Sequence, residues 1–271
     1  MSFFSWLDNL FSADENEKIA ELKEDKTALE KEVKLLKSVA SEQAQDIVVL
    51  QRRVDDLLKQ LSNDAPFESE EEKYWNNKYP KIDMSYSVHE QDGEYNVDVR
   101  NFFTPYDRYV PVVSGKTNDE KALKALQWVR KNIKYVSDKS QYGFSEFWAK
   151  AYQTLKRKKG DCEDGAIVLG NIMLKSGIPY WRIRLVTGSV NGGGHCYITY
   201  CRETDNEFVV LDWCYWPNDK PVKDRPLHSE EKNYSDENKN YYIWFSWNQK
   251  YCFGKAQTMN GMPKSFKAVK K

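Results

Sequence analysis

Apolar residues in the first quarter of the chain recur at alternating spacings of three and four. Ile19, Lys26, Val33, Ala40, Ile47, Val54 and Leu61 take one heptad position, and Leu22, Leu29, Leu36, Gln43, Leu50 and Leu57 take the other. No Pro or Gly interrupts residues 15–61. The pattern predicts a coiled coil of about six heptads. β-branched residues at a and Leu at d favour a parallel dimer, while the Lys18–Lys23 and Asp25–Glu30 flanking pairs repel and leave a trimer or a foreign partner helix open. Ahead of it, residues 1–14 read as an amphipathic docking segment, with Phe3, Leu7, Leu10 and Phe11 on one helical face. Residues 62–73, with Pro66 and a run of glutamates, read as a linker to a folded region at 74–271.

Beyond residue 74 the period changes. Ile82 to Val88 and Glu94 to Arg100 alternate like strands around Gln91-Asp92-Gly93, with His89 at the turn edge. Thr117-Asn118-Asp119-Glu120 is a capping box ahead of a helix carrying Ala122, Leu123, Leu126, Val129 and Ile133. Ser145 to Leu155 reads as another helix, and Tyr180 to Thr187 as a strand. Tyr241 to Trp247 and Lys250 to Phe253 read as two more strands. His228 falls in a solvated loop, and the basic end Lys264 to Lys271 frays.

The chemistry-bearing stretch is Gly160-Asp161-Cys162-Glu163-Asp164-Gly165-Ala166 and the apolar run after it. Asp161 reads as an N-cap. Apolar residues at 166, 167, 169, 173 and 174 hold one helical face, and Gly177-Ile178-Pro179 ends the helix. A cysteine in the first turn faces unpaired N–H groups and the positive end of the helix dipole, which favour thiolate. Asp161, Glu163 and Asp164 oppose that, and Lys156-Arg157-Lys158-Lys159 support it.

Downstream, Gly192 to Cys201 reads as a glycine loop feeding a strand, and Glu207 to Cys214 as its hairpin partner. His195, Tyr197, Thr199 and Cys201 share one face of the first strand, and Phe208, Val210, Asp212 and Cys214 share one face of the second. A tight turn at Glu203 and Thr204 sets His195 directly opposite Asp212. A four-residue loop from Glu203 to Asn206 makes them diagonal neighbours, still within reach. Either register gives a nucleophile, a base and an orienting acid: Cys162, His195 and Asp212.

These three motifs, GDCEDGA at 160–166, GGHCYITY at 193–200 and VVLDWCYWP at 209–217, resemble the transglutaminase-like cysteine enzyme superfamily. The resemblance implies an α+β fold with a papain-like core: a cysteine at a helix N-terminus, and histidine and aspartate on adjacent strands of an antiparallel sheet. It covers roughly 118–217 and implies acyl transfer on amide bonds of peptides or proteins by a Cys162–His195–Asp212 triad. It also implies an aromatic residue shortly before the cysteine that lines the site and helps hold the oxyanion, for which Trp148 is the candidate. Hydrolysis is the expected outcome, because transamidation needs a dedicated amine site. A transamidating crosslinker and a scaffold that keeps the fold without the chemistry are the alternatives. A looser similarity, through YWNNKYP at 74–80 and DVRNF at 98–102, links the chain to transglutaminase-like proteins of bacteriophages and to a virion-associated role.

Composition narrows the rest. The formal net charge of zero calls for neither nucleic acid nor an acidic membrane. Five cysteines without CxxC or zinc spacing point to a reducing, cytoplasmic setting with no metal site and no cofactor. No apolar run is long enough to span a membrane, and no secretory signal opens the chain.

Overall fold

The computed structural model of the protein describes residues 18–34, 68–90, 93–216, 218–229, 235, 239–254 and 266–268. Two compact units comprise residues 1–68 and 69–271. In the first, residues 18–34 are helical (α1), and Leu22, Leu29 and Val33 of the heptad stripe are exposed. The docking segment at 1–14, the heptads beyond residue 34 and the linker up to residue 67 lie outside the described residues. Among the described residues, no helix is long and apolar enough to cross a membrane.

The second unit starts earlier than its hydrophobic pattern suggests. Ser69 caps a helix, α2 (Glu70–Asn77), by accepting the Glu72 N–H at 3.1 Å. Glu70, Glu71 and Glu72 occupy the first turn, where the helix dipole favours acids. The glutamates expected to be linker therefore begin a helix that buries Trp75.

A mixed α+β architecture follows. Six antiparallel strands form one sheet in the order β1 (Lys81–Ile82), β10 (Cys252–Gly254), β9 (Tyr241–Trp247), β6 (Ile183–Val190), β7 (Gly193–Cys201) and β8 (Phe208–Leu211). β2 (Met84–Glu90) and β3 (Gly93–Asp98) form the expected hairpin, which His89 joins as a strand residue. The C-terminal segment does not simply fray: β11 (Phe266–Ala268) pairs with the free edge of β2. The helix α3 (Asn118–Asn132) is capped by Thr117, whose Oγ1 accepts the Glu120 N–H at 3.1 Å. Glu120 reaches back one residue further than a capping box requires, accepting the Lys116 N–H at 2.8 Å.

The cysteine helix, α6 (Cys162–Lys175), is buried from Glu163 through Met173. It packs against β6 and β7, α3 and α5 (Ala151–Arg157). Its C-terminus is a full left-handed turn: Gly177 at φ +83° lets its own N–H reach Leu174 O, and Ile178 N–H reach Met173 O. On the far side of the sheet, buried Arg184 stacks 3.8 Å from the Phe253 ring and donates to Trp75 O at 2.8 Å, fastening α2 to the sheet.

Further stretches differ from the sequence expectation, among them Tyr180–Arg182, which form a 3-10 turn ahead of β6 rather than strand. Residues 145–150 are not helical, and α5 starts at Ala151. Their backbone N–H groups are taken by distant carboxylates: Phe147 N–H by Asp138 Oδ2 at 2.5 Å, and Ala149 N–H by Asp164 Oδ1 at 3.0 Å. β8 ends at Leu211, so Asp212 and Cys214 stand in the turn beyond it rather than in the strand.

Candidate active site

The β7–β8 hairpin uses the longer of the two loops. Thr199 pairs with Val210 and Ile198 with Leu211, and Asn206 closes the loop at φ +56°. His195 and Asp212 are therefore diagonal neighbours. His195 Nε2 lies 2.7 Å from Asp212 Oδ2. Both are buried, His195 at 6% and Asp212 at 0% exposure. The ring nitrogen donates, because Asp212 stays ionised. Burial pushes its carboxyl up, but the charge of His195 and donors from His195, the Cys214 N–H and Tyr241 outweigh that and hold it below the usual carboxylate range. This use of Nε2 leaves Nδ1 as the imidazole nitrogen not engaged by Asp212.

Cys162 is the first residue of α6, as expected, with Asp161 in the N-cap position. Asp161 makes no side-chain cap; its Oδ2 accepts the Asp138 N–H at 3.3 Å instead. The closeness of Gly160 to α6 is obligatory, since a Cβ there would sit 2.5 Å from Asp164 Oδ2. Cys162, His195 and Trp148 line one cavity of about 170 Å³, together with Tyr135, Glu146, Asp161 and Glu163. The two walls are tied together by Trp213. Its indole N–H donates to Cys162 O at 3.0 Å, and its ring lies where a Cβ on Gly165 would be, 2.2 Å away.

Burial and the charges around the thiol together set its state. The sulfur sits deep although the residue is only partly covered. Burial first, then the negative charge of Asp161, raise the Cys162 pKa well above the ordinary range. The basic run 156–159 is exposed and does not offset this. At rest the thiol is protonated and donates to Glu163 Oε2 at 3.1 Å, while the Cys196 backbone N–H reaches the sulfur.

An acidic cluster lies behind the cysteine. Burial, then the neighbouring charges of Cys162 and Asp161, push Glu163 well up, and burial raises Asp161. Burial and Asp161 raise Asp164 well above its usual range, and push Asp138 to about 7. Asp138, Asp161 and Asp164 each bring a carboxylate oxygen within 4.8 Å of the others. Asp138 Oδ1 and Asp164 Oδ2 are buried without a hydrogen-bond partner. An all-oxygen, three-carboxylate set of this kind suits a hard cation such as calcium. A second grouping, His195, Asp212 and Cys214, is less suited, because its imidazole nitrogen is already bonded to its carboxylate.

Trp148 is buried, at 4% exposure, and belongs both to the core and to the cavity wall. Its indole N–H donates to Glu146 Oε1 at 3.0 Å. His228 is not solvated: it is 1% exposed and its Nε2 meets Tyr197 Oη at 2.6 Å. Asp138, Glu146, Tyr241 and His228 carried no local sequence signal as site residues, because only tertiary packing brings them to the cleft or behind it.

Residues 108–214 match the model of the transglutaminase-like superfamily. No curated protein matches the chain. Among solved structures, calcium-bound Legionella pneumophila LapG is 18% identical, covers 62% of this chain and 88% of its own, and has a TM-score of 0.40. Another Legionella pneumophila LapG structure is 17% identical, covers 52% of this chain and 70% of its own, and has a TM-score of 0.39.

Proposed function

We propose that this chain, whose residues 108–214 match the model of the transglutaminase-like superfamily, hydrolyses amide bonds of peptides or proteins through a Cys162 thioester. One observation carries the reading: an imidazole, bonded at 2.7 Å to a buried carboxylate, lines one cavity with a cysteine at a helix N-terminus. His195 Nδ1 takes the Cys162 proton as the sulfur attacks the carbonyl carbon. The tetrahedral oxyanion collapses, the C–N bond breaks, and His195 delivers the proton to the leaving amine. Water then gives a proton to His195 and its oxygen to the acyl carbon, and the thiol leaves reprotonated. Asp212 fixes the ring so that Nδ1 faces the thiol. With the Trp148 indole engaged by Glu146, the oxyanion donors are backbone N–H groups at the start of α6.

The protonated resting thiol makes proton transfer to His195 part of the first step rather than a prior equilibrium. Asp138, Asp161 and Asp164 would hold a hard divalent cation, whose charge would stabilise their ionised forms beside the cysteine turn.

Limiting iodoacetamide on the full-length protein, followed by mass spectrometry, tests the reading. Cys162 is expected to label ahead of Cys196, Cys201, Cys214 and Cys252, and His195→Ala should remove the preference while the protein stays folded. Labelling of Cys162 no faster than the other four, unchanged in His195→Ala, would leave the scaffold reading in its place.

A further inference from the structure

Asp212 is better supplied with donors than an orienting carboxylate strictly needs. Oδ1 accepts the Cys214 N–H at 2.7 Å and the Tyr215 N–H at 3.2 Å. Oδ2 accepts His195 Nε2–H at 2.7 Å and the Tyr241 hydroxyl at 2.8 Å. Tyr241 opens β9, opposite Val190 of β6, and is fully buried. Its hydroxyl is the donor in this bond. Asp212 is the ionised partner, and burial, then the charge of Asp212, keep the phenol protonated.

The tyrosine is itself held in place. Tyr197 meets the Tyr241 ring edge-on at 5.0 Å, and His228 meets it at 5.9 Å. Tyr197 and His228 are joined by their own 2.6 Å hydrogen bond. His228 is anchored in turn by its backbone N–H, which donates to Phe208 O at 2.9 Å. Tyr197 stacks at 5.6 Å on the other side against His195. The ring tier therefore runs behind the base and the acid and leaves the Tyr241 hydroxyl pointed at one oxygen.

We infer that Tyr241 is a positioning residue, a fourth member of the constellation that aims Asp212 Oδ2 at His195. The inference rests on the triad reading above. Tyr241 touches no reacting atom; it acts through Asp212. The backbone donors fix Oδ1, and Tyr241 supplies the second point that stops the carboxylate pivoting about its Cβ–Cγ bond. The titratable groups facing Asp212 are His195, Cys214, Tyr215 and Tyr241, with Cys196 and the Arg225 guanidinium close enough to feel its charge.

The test is the rate of Cys162 alkylation by iodoacetamide in full-length protein across acid to neutral pH. It compares wild type, His195→Ala, Tyr241→Phe, Asp212→Asn and the Tyr241→Phe/Asp212→Asn double variant, with near-ultraviolet circular dichroism on each. Tyr241→Phe should slow labelling at neutral pH about tenfold, the value of one hydrogen bond to a charged group. Its acid limb should move to higher pH, because Asp212 loses a donor that favours its ionised form. In the Asp212→Asn background the same change should add little, since the carboxylate it acts through is gone. A slowing that keeps the wild-type acid limb, or that adds in full to Asp212→Asn, marks a structural role and overturns the proposal alone. Labelling that His195→Ala leaves unchanged overturns the triad reading and the proposal with it.

Discussion

Two walls of one cleft carry buried carboxylates in opposite states. On the β8 side, Asp212 is fully buried, yet it stays ionised because all its partners are donors: an imidazole, a phenol and two backbone N–H groups. On the α6 side, Asp138, Asp161, Glu163 and Asp164 face one another, and burial together with their mutual repulsion raises the pKa of each. Burial acts on both walls. What separates them is whether donors or other acids supply the neighbours. One wall presents a fixed negative charge to the His195 imidazole, and the other helps raise the pKa of the Cys162 thiol.

Asp212→Asn gives the largest way to break this contrast. It removes the charge while keeping the shape, and the amide nitrogen then meets donors it cannot satisfy. Cys162 alkylation near neutral pH is expected to fall roughly 10- to 100-fold, with the far-ultraviolet spectrum unchanged. An unaltered rate would mean that the imidazole needs no partner. Gly165→Ala attacks the joint between the walls. The new methyl would occupy the position of the Trp213 ring, 2.2 Å from Cε2, so helix and turn must separate. Overpacking of this kind costs about 1–3 kcal/mol, seen as a lower thermal midpoint together with slower labelling. Gly165→Ser should be no better, whereas pairing Gly165→Ala with Trp213→Leu should recover part of the midpoint.

The ionised wall was legible from the sequence, and the acidic wall only in part, through Asp161, Glu163 and Asp164 beside the cysteine. The three motifs carried the cysteine helix and the hairpin, and the hairpin's side-chain parity put His195 and Asp212 on one face. The structure added the loop length, marked by Asn206 in a left-handed conformation, and moved Asp212 from the strand into the turn beyond β8. The acidic wall's fourth acid, Asp138, comes from a distant segment and reaches it only through tertiary packing. Residues 145–150 read as helix because their local pattern permits it; the carboxylates of Asp138 and Asp164 bind their N–H groups and forbid it. His228 read as solvated because its flanks are polar. Its burial comes from pairing beneath β8, where Leu227 bridges Val209 and its own N–H meets Phe208. Such contacts between distant segments leave no local signature.

A smaller effect sharpens the comparison from the cysteine side. Asp161 is the strongest charge opposing the thiolate, second only to burial. Asp161→Asn keeps an oxygen for the Asp138 N–H and removes the charge. The Cys162 pKa should fall, and alkylation near neutral pH should rise about threefold, since a full unit of pKa is about tenfold. A rate that falls instead would show that Asp161 holds the helix terminus more than it opposes the thiolate.

The smallest effect is on stability, and the two walls should pull it in opposite directions. Asp138 has its folded pKa raised to about 7, against about 3.9 for an unfolded aspartate. Between those values the folded protein keeps a proton that the unfolded chain has lost. Stability from this group is therefore greatest on the acid side and declines as pH rises through about 4 to 7. Asp212 has the reverse sign: its folded pKa is depressed, so its contribution is present above about 3.9 and is lost as pH falls below that. From pH 5 to pH 8 the acidic wall alone should show, as a thermal midpoint lower by a few degrees at pH 8. Asp138→Asn should flatten that slope. If Asp138, Asp161 and Asp164 take a hard cation, millimolar calcium should raise the midpoint at pH 8, where the cluster is most ionised, and much less at pH 5. Asp164→Asn should blunt the calcium response while leaving the Asp212-dependent loss at low pH in place. A midpoint that is flat from pH 5 to pH 8 and indifferent to Asp138→Asn would mean that the protons assigned to this wall are not there. The contrast between the two sides of the cleft would then fail at its acidic end.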